Sequence, residues 1–206
     1  VRHPASLCGV VGYRPSYGAI SRHGLVAMSS SLDAIGVLAR SAVDVATVMA
    51  IIAGPDKYDA TASLVLEAPA KVNPIINWSK IKIGWPAEYF SSGLNSEVAE
   101  HLINIKNILS DKGATIVPVN LPLTSYGVSA YAVINMAEVS SNLARFDGLR
   151  YGHWVGGSNL LETYLNNRKD GFGAEVKRRL MLGTYFLSAG EGESYYKQAQ
   201  TVKTII

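Results

Sequence analysis

The sequence is poor in cysteine and in charge: Cys8 stands alone among 206 residues, and Asp, Glu, Lys and Arg together make up 17% of the chain. A single cysteine excludes an intrachain disulfide and leads to the expectation of a reducing, cytoplasmic setting. Cys8 lies in an apolar run with Leu7, Val10 and Val11, so a small buried hydrophobe is expected there rather than a nucleophile. The formal net charge of +3 is too small to argue for a nucleic-acid surface, which needs clustered basic residues. The basic residues that do gather, Lys177-Arg178-Arg179, are three on one helix, a pattern that usually marks a solvated face. The histidines (His3, His23, His101 and His153) have no metal-ligand spacing, so no metal site is expected. No apolar run approaches the ~20 residues of a membrane helix, and nothing has the pattern of a signal peptide, so no membrane partner is expected.

What the chain does have is apolar content: 48% of its residues are hydrophobic, enough to bury a core of one domain or one and a half. Residues 1–40 are rich in Gly, Ser and Pro between short apolar runs, which predicts turns and short buried strands rather than a long helix. Ser41 with Asp44 three residues on makes a capping start for a helix with Val45, Val48, Met49 and Ile52 on one face, stopped by Gly54-Pro55. Residues 55–79, with Asp56, Asp59, Pro69 and Pro74, carry turn and linker chemistry. A strand at 81–85, a helix from about 96 to 112 capped by Asn95 or Ser96, and a strand at 115–119 form a parallel crossover unit. In that helix Val98, Leu102, Ile105, Ile108 and Leu109 are expected to face inward. Further helices are predicted over 129–144, 171–187 and 194–206. The fold class expected is α/β, a mixed and mostly parallel sheet with helices on both faces.

Read by chemistry alone, scattered Ser, His and Asp residues define no active site, because such sites are recognised by geometry and not by order. Blocks of sequence are more telling. The run Arg2-x-Pro4-Ala5, then Cys8-Gly9-Val10-Val11-Gly12, Arg14-Pro15-Ser16-Tyr17-Gly18 and Ser31-Leu32-Asp33-x-Ile35-Gly36 closely resembles the signature region of the amidase-signature family. Three later blocks narrow the resemblance: Glu138 to Gly152, Gly171 to Tyr185, and Tyr195-Tyr196-x-x-Ala199-Gln200-x-Val202-x-Thr204. These look like the branch of glutaminase subunits (the A subunits) of tRNA-dependent amidotransferases. The departures are local: His3 where Gln is common, Gly36-Val37 where Gly-Pro is usual, and Gly190-Glu191-Gly192-Glu193 where aromatic residues are usual.

The resemblance implies a Ser–cis-Ser–Lys triad and a glycine-rich oxyanion loop that act on the side-chain amide of glutamine. By the match, Val1 follows directly after the nucleophile, so nucleophile, bridging serine and lysine are all expected upstream of Val1 and no catalytic residue is assigned here. Residues 1–206 are then expected to be the C-terminal part of an amidase-signature domain, truncated at both ends and inactive alone. Three residues are implied as substrate-binding. Tyr131 matches a family tyrosine that touches substrate, and a phenol both donates and accepts. Arg179, or Arg178 beside it, matches the arginine that grips the substrate α-carboxylate. Adjacent residues on a helix point about 100° apart, so only one of the two can face the pocket. Arg2 is expected to brace the catalytic loop, with Asp33 a candidate partner, and Arg145 with Asp147 to form a local ion pair.

The implied partners are glutamine, the B and C subunits of a heterotrimer, and misacylated tRNA reached through the B subunit. ATP and magnesium are implied in that same B subunit, with no cofactor on this chain. Two other functions stay open at this point: a general amide hydrolase of the same family, and a non-catalytic interaction scaffold. Specificity for Glu-tRNA(Gln) or Asp-tRNA(Asn) is left open by the residues.

Overall fold

The computed structural model describes residues 1–63, 76–90 and 93–206, so the expected linker positions Pro69 and Pro74 lie outside the described residues. The chain divides into two compact units, Val1–Val72 with Ser129–Thr201, and Asn73–Val128 with Val202–Ile206.

The first unit opens with a short helix, α1 (Arg2–Leu7), followed by strands β1 (Val11–Tyr13) and β2 (Val37–Ala39), which pair antiparallel with Gly12 opposite Leu38. Two glycines let the N-terminal residues lie against this pair. A Cβ on Gly12 would stand 2.5 Å from the Ala5 Cβ, and one on Gly36 would stand 2.6 Å from the Tyr13 carbonyl oxygen and 2.7 Å from Val1 Cγ2. Cys8 is exposed, contrary to expectation. The cause is the brevity of α1, which buries Ala5 alone and ends at Cys8 as its C-cap.

Helix α2 (Ala42–Ile52) starts as its sequence dictates: the Ser41 Oγ accepts the Asp44 N–H at 3.1 Å and donates to the Asp44 carboxylate at 2.8 Å. Val45 and Met49 then close a small core with Ile20 and Val37. The helix stops at Ile52, and the Gly54 N–H turns away to the Ala19 carbonyl at 3.0 Å.

The later part of the first unit carries four helices: α4 (Thr124–Leu143) from Ser129 onward, α5 (Leu160–Gly171), α6 (Ala174–Leu187) and α7 (Glu191–Ile205) up to Thr201. The expected helix over 129–144 begins five residues earlier, at Thr124, because Gly127 interrupts the apolar spacing without breaking the helix. The one expected over 171–187 starts at Ala174 with Gly173 as N-cap, since Gly171 closes α5 instead. Helix α5 has no counterpart among the expected elements; its buried residues are the polar Thr163 and Asn167, which give no apolar stripe.

The second unit holds β3 (Lys82–Pro86), α3 (Ser96–Asp111) and β4 (Thr115–Val119), with the strands parallel and Ile83 opposite Ile116. The crossover is the one the spacing predicts. Asn95 caps α3 by accepting the Glu97 N–H at 2.9 Å, and Gly113, at φ +100°, lets the chain turn back into β4. The apolar face of α3 is less covered than expected: Leu102 and Leu109 are half-buried, while Val98, Ile105 and Ile108 are exposed. A two-stranded ribbon is narrow and covers only a stripe of the helix. The α/β character is therefore as expected, with the parallel arrangement in this unit and an antiparallel pair in the other.

Candidate functional site

The serine-rich turn after Met28 is densely hydrogen-bonded. Asp33 accepts the N–H groups of Met28 and Ser29 at 2.9 and 3.0 Å, and the N–H groups of Leu32 and Asp33 return to the Ser29 carbonyl. Its outer carbonyls are also taken. Tyr17 and Arg22 donate to the Ser30 oxygen, at 2.8 and 2.5 Å, and Arg14 donates to that of Leu32 at 3.3 Å. These carbonyls lie towards solvent, so the bonds fix the shape of the turn rather than satisfy buried groups. A cavity of about 150 Å³ opens beside the turn, with a mixed polar and apolar lining that includes Arg22, Leu25, Ala27, Ser30, Asp33 and Asp59. The Thr61 hydroxyl first, then the N–H groups of Arg22 and Thr61, hold the Asp59 carboxyl down to about 2.

Helix α4 grips the other side of this turn. The Glu138 carboxylate accepts the Ser29 hydroxyl at 2.8 Å, the Ser31 N–H at 2.8 Å and the Ser31 hydroxyl at 2.5 Å. One turn on, Asn142 donates to the Met28 carbonyl at 3.1 Å and to the Ser30 hydroxyl at 2.9 Å. Ser29 is 1% exposed, so its hydroxyl depends on that carboxylate. Reading the residues in order assigns Glu138 and Asn142 no role, although both stand in the most distinctive block. Their signal was a carboxylate and an amide four residues apart, hence on one face, in a helix otherwise buried through Ala130, Ile134, Ala137 and Val139.

The expected pairing of Arg2 with Asp33 is replaced by a local one. Asp33 is engaged by backbone N–H groups of its own turn, because a short loop offers its carboxylate nearer donors than the Arg2 side chain. The pairing of Asp147 is likewise different. Asp147 accepts the N–H groups of Leu149 and Arg150 and pairs with the Arg150 guanidinium at 3.3 Å, while Arg145 donates to the Asn142 carbonyl. A carboxylate heading a turn points forward to the residues two and three ahead. The N–H of Arg150, then that of Leu149, then the Arg150 guanidinium hold its carboxyl down to about 2.

The implied substrate-binding residues stand on two helices in contact. Gly183 of α6 meets α4, where an added Cβ would fall 1.9 Å from the Met136 carbonyl oxygen, and Ser140 shares a hydrogen bond with Thr184 at 3.0 Å. Tyr131 is on α4 and 51% exposed. Arg178 and Arg179 are on α6, and both bind Glu175, at 2.9 and 2.8 Å. Their side chains differ in exposure, 58% for Arg178 and 33% for Arg179. Arg179 lies one turn before Gly183, hence on the side of α6 that meets α4, and Arg178 points outward. Arg178 first, then Arg179, keeps the Glu175 carboxyl at about 2, so it is ionised at neutral pH. No hydrogen bond joins Tyr131 to either arginine among the described residues. Among those residues, too, no group of His, Cys, Asp and Glu is arranged to hold a metal ion, and no helix is long and apolar enough to cross a membrane.

Comparison with known proteins gives this arrangement its context. The family model described as "Amidase" matches residues 1–206. The A subunit of the glutamyl-tRNA(Gln) amidotransferase of Fusobacterium nucleatum is 51% identical, over all of this chain and 42% of its own length. The solved A subunit of the glutamyl-tRNA(Gln) amidotransferase of Thermotoga maritima superposes with a TM-score of 0.68 at 35% identity, over 98% of this chain and 39% of that one. A solved protein described as an amidase superposes equally well, at a TM-score of 0.69, with 22% identity over 100% of this chain and 38% of that one, and so shares the fold. The chain thus spans about two-fifths of the length of the relatives it matches. With its signature turn strapped to α4 and a family match along its full length, the chain belongs to the amidase family.

Proposed function

We propose that this chain is the substrate-binding and supporting part of the glutaminase subunit of a tRNA-dependent amidotransferase. The carrying observation is the 51% identity, along the whole chain, to a protein named as the A subunit of such an enzyme, against 22% to a solved amidase of the same fold. In this proposal the serine nucleophile, the bridging serine and the lysine are supplied by residues outside the 206. The chain's own task is to receive glutamine and hold the loop beside the reacting centre. Arg179 takes the α-carboxylate, exchanging one carboxylate partner, Glu175, for another. Its inward side of α6 and lower exposure favour it over Arg178. Tyr131 offers a half-exposed phenol to the polar end of the substrate. The ammonia released passes to the B subunit, which uses ATP and magnesium to amidate Glu-tRNA(Gln), Asp-tRNA(Asn) or both. The C subunit then completes a cytoplasmic heterotrimer.

The test uses the full-length protein assembled with its partners, supplied with glutamine or with free ammonia. Arg179→Ala should lower glutamine-driven amidation by roughly 30- to 150-fold, the equivalent of about 2–3 kcal/mol for a lost charge-assisted contact. Ammonia-driven amidation, which bypasses the pocket, should change less than about twofold. Tyr131→Phe should follow the same pattern at about 1 kcal/mol. A large loss for Arg178→Ala with Arg179→Ala silent would reverse the assignment of the helix face. Silence of both would remove the glutamine site from α6.

A further inference from the structure

We propose that Glu138 is a positioning residue for glutamine binding, fixing the Ser29–Ser31 turn to the helix face that carries Tyr131. The inference rests on the glutaminase function above, and its observations are independent of Arg178 and Arg179.

Three bonds converge on this carboxylate from two serines more than a hundred residues earlier in the chain: the Ser29 hydroxyl and Ser31 N–H on Oε2, and the Ser31 hydroxyl on Oε1. A simple surface contact would not need both oxygens, nor a serine that is 1% exposed. Tyr131 precedes Glu138 by seven residues, which on an α-helix is about 20° short of two turns, with a rise of roughly 10 Å. The two therefore share one face of α4, and Asn142, four residues beyond Glu138, extends that face and binds the same turn at Met28 and Ser30. Two successive helical turns thus set the register of the loop on the helix.

The loop is in turn tied to the N-terminal residues. Asp33 closes it, and three residues later Gly36 seats the Val1 side chain and the Tyr13 carbonyl against its bare Cα. One carboxylate thereby links the backbone around Val1 to the helix bearing Tyr131. Productive geometry in a binding site tolerates only about 0.5 Å of error, so a loop free to slide along α4 loses substrate alignment before it loses the fold. The Glu138→Gln substitution keeps the volume but replaces one acceptor oxygen with an NH2 group. The remaining oxygen can still accept the Ser29 hydroxyl and the Ser31 N–H, but the NH2 group can only donate where Oε1 accepted. The Ser31 hydroxyl must therefore turn round to accept, and the strap loses the charge that strengthened all three bonds.

The test compares Glu138→Gln, Tyr131→Phe and the double variant in the full-length protein with its partners, with Arg179→Ala measured alongside. The expected result for Glu138→Gln is a KM for glutamine raised about tenfold, kcat within about threefold, and ammonia-driven amidation unchanged within about twofold. In the Glu138→Gln background Tyr131→Phe should lose most of its own effect, because the phenol is already out of register. An unchanged KM, strictly multiplicative effects of the two substitutions, or an equal fall in ammonia-driven activity overturns the positioning role. If Glu138→Gln fails to assemble, Ser31→Ala removes one hydroxyl donor, keeps the Ser29 bond and the Ser31 N–H bond, and should raise KM two- to fivefold; an unchanged KM there overturns the proposal. Absence of glutamine-driven amidation in the wild-type complex marks failure of the glutaminase assignment, whereas normal glutamine-driven amidation that Glu138→Gln leaves untouched marks failure of this inference alone.

Discussion

Gly183 shows how much one hydrogen atom can decide. Intrinsic propensity favours alanine over glycine inside a helix by about 1 kcal/mol. A Cβ here, however, would stand 1.9 Å from the Met136 carbonyl oxygen and 2.6 Å from the Ser140 Cβ, and the first of these is backbone that no rotamer change can move. Helices α4 and α6 would have to separate, which costs roughly 1–3 kcal/mol or more in a packed contact. Gly183→Ala should therefore lower the denaturant midpoint of the full-length protein, by a net loss of about 2 kcal/mol, despite its better propensity. A midpoint equal to or above wild type would show that the contact is loose. Because Arg179 sits one turn away, the same substitution should also raise the KM for glutamine if the proposed pocket lies on that side.

At the scale of elements, the features legible in the sequence were those whose cause is local. Ser41 and Asp44 cap α2 from three residues apart, and β3, α3 and β4 follow one another within about forty residues, so turn chemistry and periodicity suffice. The strap from Glu138 to Ser29 joins residues 109 apart, and no periodicity encodes it. Tyr131, Arg178 and Arg179 stand out through family likeness, while the difference between the two arginines comes from helix packing. Helix α5 is hidden from a reading of periodicity because its buried anchor is an amide. Asn167 is 2% exposed; it accepts the Val155 and Gly156 N–H groups at 2.7 and 3.2 Å and donates to the Asp147 carbonyl at 3.2 Å. It thus fastens the whole 147–156 loop to the helix. Asn167→Ala would strand two backbone donors and one acceptor, at about 1–3 kcal/mol for each group left without water. A stability loss of about 2–4 kcal/mol is expected, together with faster proteolytic cutting between residues 147 and 159. A loss below about 0.5 kcal/mol with unchanged cutting would mean that the loop is held by other contacts.

For the molecule as a whole, three carboxylates of the first unit stand out among the described residues for their depressed titration. Asp59, Asp147 and Glu175 are each held at about 2, against ordinary values of 3.8 for Asp and 4.5 for Glu. A folded value below the unfolded one means that unfolding takes up protons as the pH drops. The stabilisation is then complete above the unfolded value, and it is lost as pH falls from about 4.5 towards 2. Acid should therefore loosen the first unit before the second, whose β3–β4 ladder rests on backbone bonds such as Thr115 to Ile81 at 2.9 Å. The sharpest reporters are the Leu149 and Arg150 amides, because they donate directly to Asp147. After correction for intrinsic rates, hydrogen exchange on the full-length protein should show them losing protection as the pH falls from about 3.8 towards 2, while the Thr115 amide keeps its own. Asp147→Asn keeps an oxygen that can accept both amides, so Leu149 and Arg150 should exchange only modestly faster at about pH 7 and show little further change with acid, because the group that titrates is gone. If the Leu149, Arg150 and Thr115 amides lose protection together, or if Asp147→Asn retains the acid dependence of the wild type, then Asp147 is not what ties this loop to pH.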